Sequence, residues 1–313
     1  LGFGEESFIA FQWHSWAVEP PADAVPLARS RVCLQAFRLG HALGVQYHPE
    51  VTADILDGWI ADLGASTLAQ IQGLGRVARF GGHLVSAIPL RPTRFGFFVS
   101  ALFDAGVLSV ALICLSGFTV GMVLGLQLYT TLTRFGAKEG LGAVVGLSLV
   151  RELGPVLTGL LVTGRAGSAI TAEIGAMKST EQLDGLRMMA IDPVHFVALP
   201  RALALTIAMP LLNGLFICLA IAGAYGIGVW RQGLDGGVYL SGLEDAVLFG
   251  DDVGQSLLKS LIFGLLLGLI STYKGHSCAP DAAGVARATT STVVTASVCI
   301  LLADYVITAL WGV

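Results

Sequence analysis

Two stretches of this chain run free of charge for longer than a bilayer is thick, from Ala105 to Thr133 and from Ala202 to Trp230. About 20 apolar residues cross a hydrocarbon core, so each predicts a membrane helix with some tilt. Three further spans are predicted at about 140–172, 253–273 and 288–312, each interrupted by charge: Arg151, Glu152 and Arg165 in the first, Lys259 near one end of the second, and Asp304 in the third. Ahead of them, residues 68–90 set Leu68, Ile71, Leu74, Val77, Ala78 and Val85 around Arg76 and Arg79. That spacing fits a helix lying in the membrane interface, with a solvated linker as the alternative. Gly117, Gly121 and Gly125 recur every fourth residue in the first span, and Gly264 and Gly268 repeat the pattern in the fourth. Small residues on one helical face let backbones approach where lipid provides no hydrophobic drive, so close helix packing is predicted there; a lipid-facing glycine stripe is the alternative.

Composition agrees with a membrane protein. Hydrophobic residues make up 54% and charged residues 13%, with a mean hydropathy of +0.75, whereas soluble domains carry about a quarter charged residues. A net charge of -4 with no basic stripe argues against a nucleic-acid partner. The 40 glycines lack a G-X-Y period, and the apolar content is too high for a disordered tail. Cys33, Cys114, Cys218, Cys278 and Cys299 are scattered and odd in number, so they are expected to be free, small hydrophobes.

The character of the chain changes near residue 63. Residues 1–62 carry eight acids and three bases, while residues 63–313 carry fourteen acids and fifteen bases. We therefore divide the chain into 1–62, a linker with the interfacial helix at 63–103, and the membrane domain at 104–313. The expected fold is an all-α polytopic membrane protein, an interfacial helix plus five transmembrane helices, behind a small N-terminal α/β fragment. The chain begins at Leu1 and no basic segment precedes an apolar one there, so no signal peptide is expected, and native sequence could precede Leu1.

Five spans put the two ends of the membrane domain on opposite sides. Arg76, Arg79, Arg91, Arg94, Lys178, Arg187, Arg201, Lys274 and Arg287 gather on one side; the other has Arg134, Lys138 and Arg231 among Asp235, Glu244, Asp245, Asp251 and Asp252. Basic loops stay in the cytoplasm, so the N-terminal part is expected there and the C-terminus outside.

No G-x-x-x-x-G-K-[ST], H-E-x-x-H or paired C-x-x-C occurs, and His276 with Cys278 is too small a cluster for a metal. Charge inside a bilayer costs about 2.5 kcal/mol or more per residue, so Arg151, Glu152 and Arg165 need an explanation. They either lock packing through ion pairs and carbonyl contacts or, with Glu173, line a path for the headgroup of an amphipathic substrate. Between the second and third spans, Ser179 followed by Gln182 reads as a capping box; Leu183, Leu186 and Ala190 share a face, and Asp192-Pro193 reads as the stop. This predicts a short amphipathic helix over 180–190, whose plain alternative is a surface connector.

The motifs L-x-R-E-L-G-P-V at 149–156, G-R-A-G-S-A at 164–169, A-E-I-G-x-M-K-x-T-E-Q at 172–182, M-x-A-x-D-P at 188–193 and A-G-V-x-R-A-T-T at 283–290 resemble the MlaE/YrbE-type permeases of bacterial ABC transporters that move phospholipid or related lipids with Mce-family proteins. The resemblance covers about 68–313. It implies a homodimer with a lipid cavity, in the bacterial inner membrane, and a coupling helix at 180–190 with Glu181, Gln182, Leu183, Leu186, Arg187 and Ala190 facing a separate ATPase. ATP and Mg would be bound by that ATPase and no cofactor by this chain. An Mce-domain protein on the outer face and a small STAS-domain protein are implied as further partners.

The front piece resembles another family. F-Q-W-H at 11–14 and G-V-Q-Y-H-P-E at 44–50 look like the C-terminal part of a class I glutamine amidotransferase, in which His48 and Glu50 would be the base and orienting carboxylate of a Cys-His-Glu triad. No cysteine elbow precedes them, and Cys33 in S-R-V-C-L does not resemble one. A hairpin-rich fragment with a helix around 52–62 is expected. The first functional reading is therefore the lipid-transporting permease subunit. Its rivals are a membrane-anchored amidotransferase lacking its upstream half and a lipid-protein scaffold without a transport cycle.

Overall fold

The computed structural model describes residues 22–23, 25–29, 34–39, 42–45, 73, 75–86 and 95–311. The chain divides into two compact units, Leu1–Arg76 and Val77–Val313. The described part of the first unit is a three-stranded antiparallel sheet in the order β1 (Val25–Arg29), β2 (Leu34–Leu39) and β3 (Ala42–Val45). Phe37 pairs with Gly44, and the β1–β2 register slips on both sides of Ala28. His48, Glu50 and the helix expected around 52–62 lie outside the described residues.

The second unit is all helical. After α1 (75–86) come α2 (Phe95–Ala105), α3 (Val110–Arg134), α4 (Leu141–Ser148), α5 (Gly154–Val162), α6 (Ser168–Ser179), α7 (Gln182–Met188), α8 (Leu199–Tyr225), α9 (Gly236–Ala246), α10 (Gly254–Ser277) and α11 (Ala282–Trp311). They form five helical columns long and apolar enough to cross a membrane: Phe95–Arg134, Lys138–Ser179, Val194–Arg231, Phe249–Ser277 and Ala282–Trp311. The second unit is thus an all-α polytopic membrane domain. Its columns exceed the predicted spans. The first starts at Phe95 rather than near 105, because α2 runs through a single 3-10 turn at Val107–Ser109 into α3. Phe95, Phe97, Val99 and Phe103 on α2 are exposed, a surface suited to lipid.

Within α1, Leu84 turns inward onto Val194, Ala198, Leu199 and Ala202, while Arg79 and Val85 face outward. The glycine repeats meet backbone. A Cβ on Gly117 would stand 2.8 Å from the Phe216 carbonyl oxygen, one on Gly121 would collide with the Ala220 carbonyl, and one on Gly125 would lie 2.9 Å from Ala224 Cα. All three therefore seat α3 on α8. On α10, Gly264 and Gly268 seat the helix against Leu205 and Ala202 of the same α8, each with a carbonyl oxygen 2.9 Å from the added carbon. We expect Gly121→Leu to push α3 off α8 and cost more than about 3 kcal/mol, since overpacking against rigid backbone has no side chain to yield. A thermal melt in detergent should show a lower midpoint, and Gly140→Leu, where a Cβ meets nothing within 4 Å, should show none.

Of the three prolines inside the columns, Pro210 sits within α8 and the other two follow wide π-helical turns. Pro155 follows the turn Leu149–Leu153 and Pro200 follows Val194–Ala198. A proline ring lacks an N–H and crowds the preceding turn, and an inserted residue relieves both. On the face opposite the α7 loop, α9 packs on α4: Tyr239 is fully buried against Tyr225, and burial pushes its phenol up to about 12. The four described cysteines, Cys114, Cys218, Cys278 and Cys299, are free.

Candidate functional site

The four residues assigned from sequence to a single substrate path fall into two groups. Arg151 and Glu152 sit on the wide turn Leu149–Leu153, Arg165 on a second wide turn at Thr163–Gly167, and Glu173 on α6 beyond it. Taking the column from Lys138 at ~1.5 Å per residue, Arg151 lies about 20 Å in and Arg165 about 40 Å in, at the headgroup level of the opposite face.

The central group is built around a lysine. Lys259 of α10 is fully buried, and its Nζ donates to Glu152 Oε2 at 2.8 Å, to Thr308 Oγ1 at 2.7 Å and to the Arg151 carbonyl at 2.9 Å. Asp304 Oδ1 lies 2.9 Å away as a fourth oxygen without an aligned hydrogen bond. An ammonium has three protons, so the Asp304 contact is electrostatic. Thr308 Oγ1 is also 3.2 Å from Glu152 Oε1, which ties α11 to the second column. Beside it, Arg151 Nε donates to Asp252 Oδ1 at 2.6 Å, and the other Asp252 oxygen accepts from the Leu248 N–H at 2.7 Å. Asp252 also lies on a wide turn, Phe249–Val253. Two cations thus face three carboxylates, and the surplus is negative. The Glu152 side chain remains 41% exposed and that of Arg151 48% exposed, so this cluster opens to one side of the unit instead of being sealed within it.

The second group lines a cleft of about 370 Å³ between α2, α6, α8 and the Thr163–Gly167 turn. Arg165 Nη1 donates to the Asp104 carbonyl at 2.8 Å and to Ser109 Oγ at 3.0 Å, both neutral acceptors. Glu173 instead forms a two-point pair with Arg201, at 2.5 Å to Nη2 and 3.1 Å to Nε, and Arg201 Nη1 also donates to the Val197 carbonyl. Sequence reasoning did not assign Lys259, Asp304, Asp252, Thr308, Asp104 or Arg201 to any site. For Lys259 and Asp304 a signal existed, a charge inside an apolar run. Asp252 was concealed among the acids of its loop.

The loop helix differs in detail from its sequence reading. No capping box forms: Ser179 ends α6 and donates to the Ala176 carbonyl, and Glu181 precedes α7 with φ of 58° and no side-chain cap. The helix is Gln182–Met188, shorter than 180–190. It stops where Ala190 takes φ of 57° and the Ile191 N–H closes onto the Leu186 carbonyl, a left-handed C-terminal cap. Asp192 is not its stop but the start of the next column, accepting from the Val194 N–H. Leu183, read as an exposed anchor, is 2% exposed and belongs to the core, and Leu186 packs against that core. The apolar residues this loop does present are Met188 and Met189, 91% and 64% exposed. Lys178 holds the loop's root by donating to the carbonyls of His276 and Cys278 at the end of α10, where carbonyls lack helical partners.

Among the described residues no cluster of His, Cys, Asp or Glu could hold a metal ion. Five apolar columns, three of which share a partly open charge cluster, make a polytopic membrane protein. Residues 98–310 match the family model described as Permease MlaE. The intermembrane phospholipid transport system permease protein MlaE of Haemophilus influenzae is 42% identical over 253 residues, covering 80% of this chain and 97% of that protein. A probable ABC transporter permease protein of Rickettsia bellii is 37% identical over 80% of this chain and 96% of its own length. The chloroplast protein trigalactosyldiacylglycerol 1 of Arabidopsis thaliana is 33% identical over 65% of this chain and 58% of that protein. The chain belongs to the MlaE permease family and is a transporter subunit, not an enzyme.

Proposed function

We propose that this chain is the permease subunit of an ATP-driven transporter that moves phospholipid, working as a homodimer in the bacterial inner membrane. The observation that carries the reading is the Lys259 cluster: charge held between apolar columns with Glu152 and Arg151 still open. A headgroup passing through apolar surroundings needs polar groups it can reach, and the open sides of Glu152 and Arg151 offer them. The α11 helix supports the homodimer. Gly284, Ala288, Thr292, Ala296 and Ile300 turn into the unit, and Val294, Val298, Leu301 and Tyr305 form an exposed apolar face on the other side. A second copy covering that face would bring two such clusters towards each other.

The motor would be a separate ATPase binding ATP and Mg, docked on the α7 loop; an Mce-domain protein would sit on the outer face and a STAS-domain protein on the ATPase. The side bearing Arg79, Lys178, Arg187, Lys274 and Arg287 would be cytoplasmic. Reconstitution of the full chain with its ATPase in vesicles tests the reading. ATP-dependent movement of a fluorescent phospholipid is expected, and its absence despite ATP hydrolysis would reject it. The front unit is expected to be dispensable: the chain without residues 1–62 should insert and dimerise as the full chain does, measured by size exclusion in detergent.

A further inference from the structure

The cleft beside Arg165 holds two opposite charges that do not meet. Arg165 uses Nη1 on the Asp104 carbonyl and Ser109 Oγ, which leaves Nη2 and Nε without a partner among the described residues. The Asp104 carboxylate, exposed at the same cleft, likewise has no hydrogen bond or ion pair there, although its own backbone oxygen touches the guanidinium. Glu173 and Arg201 at the rim already neutralise one another. The cleft therefore presents one open guanidinium edge and one carboxylate without a described protein partner to a ligand, flanked by Phe97, Ala101 and Leu108. Its volume falls within the ~300–1,000 Å³ common for small-molecule sites. Arg165 stands about 40 Å along its column, where headgroups meet the acyl region.

From this arrangement we propose that the cleft is a headgroup site for a zwitterionic aminophospholipid of the adjoining leaflet. The ligand's phosphate binds the Nη2–Nε edge of Arg165, its primary ammonium binds the Asp104 carboxylate, and its chains lie along the apolar wall of α2. A planar guanidinium edge matches two phosphate oxygens. An ammonium supplies charged N–H donors that a carboxylate accepts, whereas a choline has no N–H and a glycerol only neutral hydroxyls. The site lies apart from the Lys259 cluster. It rests on the phospholipid reading above and adds to it a place where the lipid headgroup is selected.

The test is native mass spectrometry of the full chain in detergent, with an equimolar mixture of dioleoyl phosphatidylethanolamine, phosphatidylglycerol and phosphatidylcholine. The ethanolamine lipid should be retained about tenfold over the other two, the ratio a charge-assisted hydrogen bond provides. Asp104→Asn should abolish that preference while total lipid persists. Arg165→Gln should lower all three, and Arg165→Lys, which keeps the charge but loses the fork, should recover part of the binding. The size-exclusion profile of each variant, matched to the unaltered chain, shows that the helices remain packed. Equal retention of the three lipids by the unaltered chain, or a preference that survives Asp104→Asn, would overturn the proposal. So would displacement of bound lipid by an equal concentration of soluble phosphoethanolamine, which would mean the chains contribute nothing. Failure here alongside intact ATP-dependent transport would reject this site alone. Loss of lipid movement altogether would reject the phospholipid reading.

Discussion

Replacing Lys259 with methionine should be the most damaging single change in the membrane domain. It strips the ammonium from Glu152, Asp304 and Thr308 at once, leaving two carboxylates together between the columns. Removing one partner of a buried pair typically costs about 3–5 kcal/mol, most of it from the charge left behind. The variant is expected to melt well below the parent in detergent. Combining Lys259→Met with Glu152→Gln and Asp304→Asn removes the stranded charges and should recover most of that stability. If the cluster serves transport, the triple variant stays folded and inactive in the vesicle assay; a stable triple variant that transports normally would make the cluster a packing device only.

The second large effect concerns the α7 loop and separates two kinds of apolar residue within seven positions. Leu183→Asp places a charge in the core, where a buried unpaired carboxylate costs several kcal/mol, so it should reduce expression and broaden the size-exclusion peak. Met188→Asp with Met189→Asp alters only exposed side chains, and the fold should survive. If the proposed ATPase docks here, those flexible thioethers are its natural contacts, and the double variant should lose co-purifying ATPase while keeping its dimer. ATPase retained at parental levels on the double variant would move the docking surface elsewhere.

Leu183 also shows how far the sequence could be read. An apolar residue in a polar loop looks like an anchor for another protein, because the pattern records that a helix has an apolar face and not which neighbour takes it. The neighbour is the chain's own bundle, since α7 folds back against the end of α6. Long apolar runs made the five columns readable, and every-fourth glycines marked where α3 and α10 approach α8, since both signals are local. The charged clusters were only half readable. Arg151 and Glu152 stood out inside their span, but their partners Asp252, Lys259 and Asp304 lie about a hundred or more residues away, and pairing at that distance leaves no trace in spacing. The wide turns that aim these side chains were invisible, because an inserted residue in a helix has no composition of its own.

Those turns bear on how the molecule carries force. Counted by hydrogen bonding, Lys138–Ser179 is not one rod but a series of stiff lengths, α4, α5 and α6, joined at Leu149–Leu153 and Thr163–Gly167. Bends in long helices concentrate at π turns, where an extra residue interrupts the regular ladder, so these joints are where the column flexes. Arg151, Glu152 and Arg165 ride on them. A load arriving through α7 at the end of α6 would meet the Arg165 joint first and the Glu152 joint second, so a few degrees of flexure at either would re-aim a charge without sliding the column through the lipid.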